Sequence, residues 1–470
     1  MATSKHRLGL IGVGVMGGGL ALNLADHGVR VLVYDRVRRA GERLAAQFPE
    51  AVACASSLNE LVDRLERPRA ILLMVPAGDA VDAAIRELAP LLARGDLVID
   101  GGNSHYRATI RRAEQLRDMG VELLGIGISG GVSGAKHGPA LMVGGNEQAW
   151  SMVKDVFQAI AARGADGSPA CGYFGGDGTG HFVKMVHNGI EYAQMQAIAE
   201  IVELLRQLNG LTPQAAAAAL ARWNAGPLES YLLDITSQIL GRRDPLTGGA
   251  AIDVIADAAG QKGTGAWAAI EAIELGVAAP TIVGAVLARA LSAETATRVA
   301  VATSYPPPPT GREAIDEIAL ADALVAATLA IYAQGMALLA AARAKYGWRF
   351  EFTLLAQAWH AGCIIRAPLL IELVGETDGV SHALLAPRLR ERIAAAEAGW
   401  RRSVATAIAA GVAVPALASS LAYVDAMRMG RLWTATIQAQ RDFFGAHGLM
   451  RVDRPGRFHL DGSSAEEGDS

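Results

Sequence analysis

Residues 8–35 read LGLIGVGVMGGGLALNLADHGVRVLVYD, and they give the clearest structural signal in the chain. A short apolar run precedes glycines at positions 12, 14 and 17, and an amphipathic helical pattern then leads to a second apolar run ending in Asp35. Glycines at this spacing after a strand allow a tight turn and let backbone N–H groups approach a pyrophosphate at the helix N-terminus. The stretch therefore predicts a Rossmann-type dinucleotide-binding unit.

The predicted cofactor contacts lie where three of the predicted strands end. They are Gly12, Gly14, Val15, Met16 and Gly17 in the turn, Asp35 and Arg36 after the second strand, and Val75, Pro76 and Ala77 after a third. A carboxylate at Asp35 accepts hydrogen bonds from a ribose diol and repels a 2′-phosphate, which favours NAD. Arg36 is the opposing signal, because an arginine there can hold the extra phosphate of NADP. We expect NAD or NADP, with NAD favoured by Asp35.

Strand and helix patterns alternate along the chain up to about Asp177. Patterns typical of strands lie at 7–11, 30–34, 70–75, 97–99 and 122–127, and patterns typical of helices lie between them, as at 15–27 and 110–119. Such alternation predicts a parallel sheet covered by helices on both faces. Alanine-rich helical patterns dominate from Gly180 to about Gln440. We predict a dinucleotide-binding Rossmann domain at 1–178, an all-helical domain at 179–437 and a C-terminal tail at 438–470.

The helical half contains a weak internal repeat. Tyr192-Ala-Gln-Met is similar to Tyr332-Ala-Gln-Gly-Met, and Trp223-Asn-Ala-Gly is similar to Trp359-His-Ala-Gly at nearly the same offset. Two such matches favour a duplicated helical unit over a solenoid, which needs at least three copies. Chance similarity between alanine-rich helices is the alternative.

Composition excludes several classes of protein. The 470 residues carry 43 basic and 47 acidic side chains, so electrostatics gives no reason to expect a nucleic-acid or membrane partner. The content of 51% hydrophobic residues excludes a disordered chain. Cys54, Cys171 and Cys363 lie far apart, which argues against a disulfide framework or a zinc site and favours a reducing cytosol. The polar N-terminus predicts no signal peptide, so we expect a cytoplasmic protein. The uncharged stretch 323–342 is predicted to be a buried helix rather than a membrane span.

Two glycine-rich loops follow later predicted strands. One contains Asp100-Gly-Gly-Asn103-Ser104, and the other contains Ser129-Gly130-Gly131. Their N–H donors and polar side chains suit an anionic or polyhydroxy substrate, although ordinary turn chemistry produces similar sequences.

The residues best suited to chemistry lie within GHFVKMVHNGIEY, residues 180–192. Lys184, His187, Asn188 and Glu191 stand at i, i+3, i+4 and i+7, which places them in one stripe along a helix. Apolar flanking residues predict that the stripe is partly buried, and such burial is costly unless the polar groups contact a ligand. An exposed, salt-bridged helix face is the alternative interpretation.

Taken together, these motifs resemble those of the 6-phosphogluconate dehydrogenase family, the decarboxylating dehydrogenases of the pentose phosphate pathway. The resemblance extends from about Leu8 to Gly462 and includes IDGGNS at 99–104, GQKGTG at 260–265, GCIIR at 362–366 and QAQRDFFGAH at 438–447. It implies a Rossmann domain, a large all-α domain, and a homodimer in which each C-terminal tail inserts into the partner subunit. It also implies oxidative decarboxylation of 6-phospho-D-gluconate to D-ribulose 5-phosphate and CO₂, with reduction of NAD or NADP and without a metal.

The resemblance assigns roles to residues by their position in these motifs. Lys184 is implied as the general base, and Glu191 as the acid that protonates the product. The implied substrate contacts are Asn103, Ser129, Gly130, Gly131, His187, Asn188, Tyr192, Lys262 and Arg289, with Arg441 and His447 supplied by the partner subunit. Asn103 is also expected at the cofactor. Three of these, Lys262, Arg289 and Arg441, would supply the cations that a phosphate needs.

The chain departs from a common family pattern at the cofactor site. Many members have Asn-Arg-Thr where this chain has Asp35-Arg36-Val37, and Lys where it has Pro76, and both differences weaken the case for NADP. Two other functions remain open at this point: a dehydrogenase of another 3-hydroxy acid, and a non-catalytic dinucleotide-binding protein. The presence of both Lys184 and Glu191 argues against the second.

Overall fold

The computed structural model describes residues 5–261, 263–306 and 313–465. The chain divides into two compact units, Met1–Ser420 and Leu421–Ser470. The predicted boundaries at 178 and 437 stay predictions.

The first unit contains an eight-stranded sheet. Its strands are β1 Leu8–Ile11, β2 Val31–Tyr34, β3 Val52–Cys54, β4 Ala70–Leu73, β5 Leu97–Asp100, β6 Glu122–Ser129, β7 Ala140–Gly145 and β8 Cys171–Tyr173. They lie in the order β3-β2-β1-β4-β5-β6-β7-β8. The first six follow the doubly wound order of a Rossmann sheet and pair in parallel, so the predicted Rossmann-type domain is confirmed.

The five predicted strands, β1, β2, β4, β5 and β6, all pair in parallel as predicted, whereas the unpredicted β7 runs antiparallel to β6. Only residues 130–139 join these two strands. A parallel crossover needs a dozen or more residues, so this short connection forces the chain to turn back. Strands β3, β7 and β8 were not predicted, and two of them have only three residues.

Helices cover both faces of this sheet, as the alternation predicted. They are α1 Val15–Asp26, α2 Arg38–Gln47, α3 Leu58–Asp63, α4 Asp79–Leu88, α5 Tyr106–Arg117, α6 Gly131–His137, α7 Glu147–Ser151 and α8 Lys154–Ile160. Leu10 and Val33 belong to the buried cluster that contains Leu20 and Leu24 of α1. Neighbouring strand residues such as Leu32 pack on the other face. Successive side chains of each strand thus reach opposite hydrophobic layers.

The rest of the first unit is built of helices. They are α9 Thr179–Gln207, α10 Pro213–Asn224, α11 Tyr231–Gly241, α12 Thr264–Glu274, α13 Pro280–Ala293, α14 Thr295–Ser304, α15 Glu317–Tyr346, α16 Thr353–Trp359, α17 Pro368–Thr377, α18 Pro387–Ala409 and α19 Pro415–Arg428, the last continuing into the second unit. Helix α15 is long and apolar enough to cross a membrane, yet 83% of its most apolar window is buried inside the protein. The stretch 323–342 is therefore a core helix, as predicted.

The segments compared in the internal repeat lie at corresponding places in the helices. Tyr192 and Tyr332 lie on the two long helices α9 and α15, and the Gln194 amide donates a hydrogen bond to the Tyr332 hydroxyl over 2.7 Å. Trp223 and Trp359 lie at or next to the C-terminal ends of the short helices α10 and α16. The duplication stays a prediction that these placements support.

The second unit contains helix α20, Thr434–Gly445, and a short antiparallel pair, β9 Leu449–Met450 and β10 Arg457–Phe458. Asp442 organises it, because its carboxylate accepts hydrogen bonds from the backbone N–H groups of Gly448 and Leu460 and contacts the His459 ring at 2.8 Å. The sequence did not predict this hairpin.

Candidate active site

A cavity of about 290 Å³ lies at the carboxyl ends of β1, β2 and β4. Its walls combine predicted cofactor residues with residues of α3 and α4, namely Ile11, Gly12, Gly14, Tyr34, Asp35, Arg36, Leu58, Met74, Val75, Pro76, Ala80, Ala84 and Glu87. This is the edge of a doubly wound sheet at which nucleotides bind. The sequence missed the wall formed by the helices, including Glu87, because helical periodicity does not tell which residue faces a cavity.

The glycine turn fits a dinucleotide because backbone fills the space where side chains would be. Gly12 has φ +95°, and a Cβ there would lie 2.6 Å from the Met74 carbonyl oxygen. A Cβ at Gly17 would overlap the Gly12 carbonyl oxygen. Val15 and Met16 begin α1 directly after this turn, and Pro76 and Ala77 lie exposed before α4. The turn and the helix N-terminus form the cradle that the pyrophosphate of a dinucleotide requires.

Asp35 is held in place by two backbone hydrogen bonds. Its Oδ2 accepts the N–H of Val13 in the glycine turn, and its Oδ1 accepts the N–H of Val37, each over 2.8 Å. The carboxylate therefore joins the end of β2 to the glycine turn and lies in the wall of the cavity.

The predicted stripe on α9 is confirmed as a buried one. Lys184, His187 and Asn188 are buried, and Glu191 is partly buried. The Lys184 Nζ lies 3.4 Å from His187 Nδ1, which in turn lies 3.3 Å from Asn188 Oδ1 and 3.7 Å from Glu191 Oε2. The alternative of an exposed, salt-bridged face is wrong.

Glycines of the sheet bring this helix close to β6. A Cβ at Gly127 would overlap the Cβ of Lys184, and a Cβ at Gly125 would lie 2.9 Å from the His181 ring. Helix α9 therefore packs directly on β6, and the Lys184 side chain begins beside Gly127 of that strand. No role was predicted for these glycines, although glycine inside a strand often marks a close approach.

Burial sets the protonation of the stripe. It lowers the pKa of the Lys184 ammonium, against the opposing charge of Glu191, and raises the pKa of the Glu191 carboxyl, against the charges of Lys184 and Arg289. Burial, and then the Lys184 charge, holds the pKa of His187 well below its ordinary value. A lysine with a lowered pKa can act as a base, and a carboxyl with a raised pKa can act as an acid.

The loop after β6 joins this stripe. The Ser129 hydroxyl lies 3.1 Å from His187 Nε2, so the loop contacts the histidine directly. Gly130 has φ +122°, and a Cβ there would lie 2.5 Å from the Gly362 carbonyl oxygen. Trp359 packs its ring edge on His187 at 5.7 Å, an arrangement that the sequence did not predict. Segment 359–364 thus packs against both the predicted Ser129-Gly130-Gly131 loop and the His187 ring.

Tyr192 and Arg289 form a second group beside Glu191. The Arg289 guanidinium carbon lies 3.4 Å from the centre of the Tyr192 ring. A Cβ at Gly265 would lie 2.5 Å from the same ring, so Gly265 packs closely on the tyrosine. Lys262, which belongs to the same GQKGTG motif, lies outside the described residues.

A buried arginine connects the loops on the cofactor side. Arg112 of α5 pairs with both carboxylate oxygens of Asp82 on α4 at 2.9 Å and donates to the Gly78 carbonyl over 3.0 Å. It also lies 3.3 Å from the Ser104 hydroxyl, next to the exposed Asn103. Arg112 therefore fixes the turn before α4 relative to the loop that carries Asn103. No sequence motif predicts this role of Arg112.

The remaining predicted site residues belong to the second unit. Arg441 on α20 is exposed and donates to Gln438 over 3.3 Å, and the His447 ring contacts Phe444 edge-on at 6.1 Å. Their predicted place in a partner's site stays a prediction. Within residues 5–261, 263–306 and 313–465, no group of three His, Cys, Asp or Glu side chains is arranged to hold a metal ion.

A dinucleotide cradle at the sheet and a buried lysine–carboxyl pair on a helix packed against that sheet are the features of a dinucleotide-dependent dehydrogenase. Comparison with known proteins agrees. Residues 7–175 match the NAD binding domain of 6-phosphogluconate dehydrogenase, and residues 180–462 match the 6-phosphogluconate dehydrogenase C-terminal domain. The chain belongs to the 6-phosphogluconate dehydrogenase family.

Individual relatives resemble the chain over nearly its whole length. It is 44% identical over 467 residues to the decarboxylating 6-phosphogluconate dehydrogenase of Synechococcus elongatus, covering 97% of this chain and 98% of the relative. It is 42% identical over 457 residues to that of Candida albicans, covering 94% and 88%. The solved Plasmodium falciparum 6-phosphogluconate dehydrogenase superposes with a TM-score of 0.92 at 34% identity, covering 97% of this chain and 99% of that one. That protein was solved in its apo form, with its cofactor NADP⁺ and with its substrate 6-phosphogluconate.

Proposed function

We propose that this chain catalyses the oxidative decarboxylation of 6-phospho-D-gluconate to D-ribulose 5-phosphate and CO₂, with reduction of a nicotinamide dinucleotide. The observation that carries the proposal is the buried stripe of Lys184, His187, Asn188 and Glu191 beside β6. Membership of the family supplies the substrate, and the stripe supplies the groups that its chemistry needs.

The glycine turn and the start of α1 would hold the dinucleotide, since side chains at Gly12 and Gly17 would fill the cradle. When bound, the nicotinamide ring accepts the hydride from C3 of the substrate. Loss of CO₂ then breaks the C1–C2 bond of the keto acid, and the protein itself can supply the proton transfers and binding interactions that accompany these steps.

Lys184 acts first as a base. Burial favours its neutral amine, which takes the proton from the C3 hydroxyl as the hydride leaves, so that C3 becomes a ketone. The ammonium so formed lies beside the ketone oxygen and donates its proton there as the carboxylate leaves as CO₂. The electron pair of the broken C1–C2 bond then enters an enediol between C2 and C3, and Lys184 is neutral again.

Glu191 completes the reaction as an acid. Burial favours its protonated form, which can donate a proton to the enediol carbon that becomes C1 of ribulose 5-phosphate. The new ketone forms at the former C3, so the hydroxyl on that carbon must lose its proton. Neutral Lys184, on the same stripe, can accept this proton.

The substrate contacts that we propose are those that family membership implies. They are Asn103, Ser129, Gly130, Gly131, His187, Asn188, Tyr192, Lys262 and Arg289, with Arg441 and His447 from a partner subunit. The stacking of Arg289 on Tyr192 supports a phosphate site, because it orients a guanidinium that can hold a phosphate through paired hydrogen bonds.

For the cofactor we propose NAD in preference to NADP. Asp35 lines the cavity with a fixed carboxylate, which can accept hydrogen bonds from a ribose diol and would repel a 2′-phosphate. Pro76 lines the same cavity and offers no cation. The Plasmodium falciparum relative binds NADP⁺, so this preference would distinguish the chain from that protein.

We also propose a cytoplasmic homodimer. The second unit exposes Phe443 and Phe444 to 87% and 74%, and adjacent aromatic side chains left open in this way suit a subunit contact. The three free cysteines, two of them buried, suit a reducing compartment. Removal of residues 438–470 should abolish both activity, measured by turnover, and dimerisation, measured by sedimentation. A truncated protein that is monomeric and fully active would contradict the shared site.

The function is tested by following reduction of the dinucleotide at 340 nm. We expect 6-phosphogluconate to react with a kcat/KM at least about a hundredfold above that of gluconate or 3-hydroxyisobutyrate, since only it offers the phosphate. CO₂ and ribulose 5-phosphate should form in equal amounts with the reduced cofactor. Equal turnover of phosphate-free acids would instead identify a dehydrogenase of another 3-hydroxy acid, and no turnover would leave a binding protein.

A further inference from the structure

An ion pair crosses one end of the nucleotide cavity. Arg36 follows β2, and its Nη2 lies 3.0 Å from Oε1 of Glu87 on α4. Both residues line the cavity together with Asp35. The two partners are 51 positions apart in sequence, so only the folded chain brings them together.

The pair changes what the cavity can bind. Among the described residues that line it, the charged groups are Asp35, Arg36 and Glu87, which together carry one negative charge. A 2′-phosphate carries nearly two negative charges and needs a cation, but Glu87 already engages Arg36, the cation among these residues. A 2′-hydroxyl is neutral and needs no cation.

We propose that Glu87 is a specificity-determining residue that disfavours a 2′-phosphate by holding Arg36. The inference rests on the proposed dinucleotide-dependent function and adds to it a second source of selectivity, separate from Asp35. Arg36 has the charge and length that a ligand of the NADP 2′-phosphate needs, but its guanidinium is already paired with Glu87. In this chain, Glu87 therefore weakens the preference for NADP that Arg36 would otherwise provide.

The expected size of the effect follows from exposure. The Arg36 and Glu87 side chains are 69% and 51% exposed, and ion pairs of this kind are weak. Release of Arg36 should therefore change selectivity by roughly two- to fivefold, and should not reverse a strong preference.

The test is Glu87→Gln, which keeps the shape of the side chain and removes its charge. The ratio of kcat/KM with NADP to kcat/KM with NAD should rise roughly two- to fivefold. Binding of adenosine 2′,5′-bisphosphate, measured by calorimetry relative to AMP, should strengthen by a similar factor. This binding measurement needs no turnover. The control is Glu317→Gln, which removes another exposed carboxylate partner of an arginine (Arg222, 2.6 Å) away from the cavity and should change neither quantity.

Arg36→Ala separates the proposed route from simple removal of a repelling charge. If Glu87 acts by holding Arg36, then Glu87→Gln should have no further effect on either ratio in the Arg36→Ala protein. An equal gain in both backgrounds, or no gain in the wild-type background, would overturn the proposal. Loss of 6-phosphogluconate turnover with both cofactors in the wild-type protein is a different result, and it would count against the proposed function.

Discussion

Gly127 of β6 and Lys184 of α9 lie so close together that a methyl group on the glycine would overlap the lysine Cβ. The same added atom would lie 2.9 Å from the Gly180 carbonyl oxygen, which is backbone and cannot rotate away. The position of the lysine therefore depends on the absence of a side chain on the neighbouring strand.

Gly127→Ala should lower kcat by at least about tenfold while the protein still folds. The extra methyl must push α9 from β6, and small displacements of a catalytic group cost rate steeply. Steady-state assays with 6-phosphogluconate measure the effect. Gly375→Ala on α17, where an added Cβ meets nothing within 4 Å, is the matched control and should keep full activity. An unchanged kcat in Gly127→Ala would show that the close packing does not position Lys184.

Asp82→Asn should weaken dinucleotide binding and lower the melting temperature. The change removes the charge that Arg112 contacts through two nitrogens and leaves a buried guanidinium short of a partner. We expect KM for the dinucleotide to rise by roughly tenfold, because the turn at Gly78 loses its support. Glu114→Gln, on the exposed side of α5, should change neither value. A normal KM with a reduced melting temperature would mean that Arg112 stabilises the fold without orienting the loops.

Glu200 should make the protein less stable as the pH rises. Burial raises the pKa of this carboxyl to about 7, although the N–H groups of Ala416 and Leu417 donate to it. A raised pKa in the folded state gives stability that is full below the unfolded value near 4.5 and is lost as the pH rises through 7. The loss amounts to about 3 to 4 kcal/mol at most, at about 1.36 kcal/mol for each unit by which the folded pKa exceeds the unfolded value.

Melting curves at pH 5 and pH 8 measure this contribution. Glu200→Gln should reduce the difference between the two melting temperatures, because glutamine does not titrate. Glu203→Gln, a carboxylate on the same helix outside the core, should leave the difference unchanged. If Glu200→Gln and the wild type lose stability equally between the two pH values, the buried carboxyl is not the cause.

Asp35→Asn should shift cofactor preference toward NADP by roughly tenfold, as removal of a charge in contact with a phosphate is worth about 1.4 kcal/mol or more. Asparagine can still accept the Val13 N–H through its side-chain oxygen, so the turn should survive. Asp118→Asn, at the exposed end of α5, is the charge-matched control. A clear wild-type preference for NADP that the substitution leaves unchanged would show that the carboxylate does not select the cofactor.

Local sequence patterns predicted the elements that depend on neighbours along the chain. The glycine turn at Gly12 and the stripe from Lys184 to Glu191 are short-range patterns, and both have the predicted form. The reversal of β7 depends on the length of a connection, and the sequence of each strand alone does not contain it.

Contacts between distant residues account for what the sequence missed. Arg112 on α5 pairs with Asp82 on α4, Trp359 on α16 contacts His187 on α9, and Glu87 on α4 pairs with Arg36 after β2. Arg112, Trp359 and Glu87 each lie in an ordinary helical pattern, and their roles arise only from tertiary packing. No local spacing rule predicts such a pair.

The central claim is that Lys184 is the base that starts the reaction, and the kcat of Lys184→Ala tests it most directly. General bases contribute about 10²–10⁴-fold, and this lysine serves more than one proton transfer. We predict that kcat falls at least a hundredfold while 6-phosphogluconate still binds in a calorimetric titration. A Lys184→Ala protein that keeps more than about a tenth of the wild-type kcat would contradict the assignment, since that loss is below what removal of a general base costs.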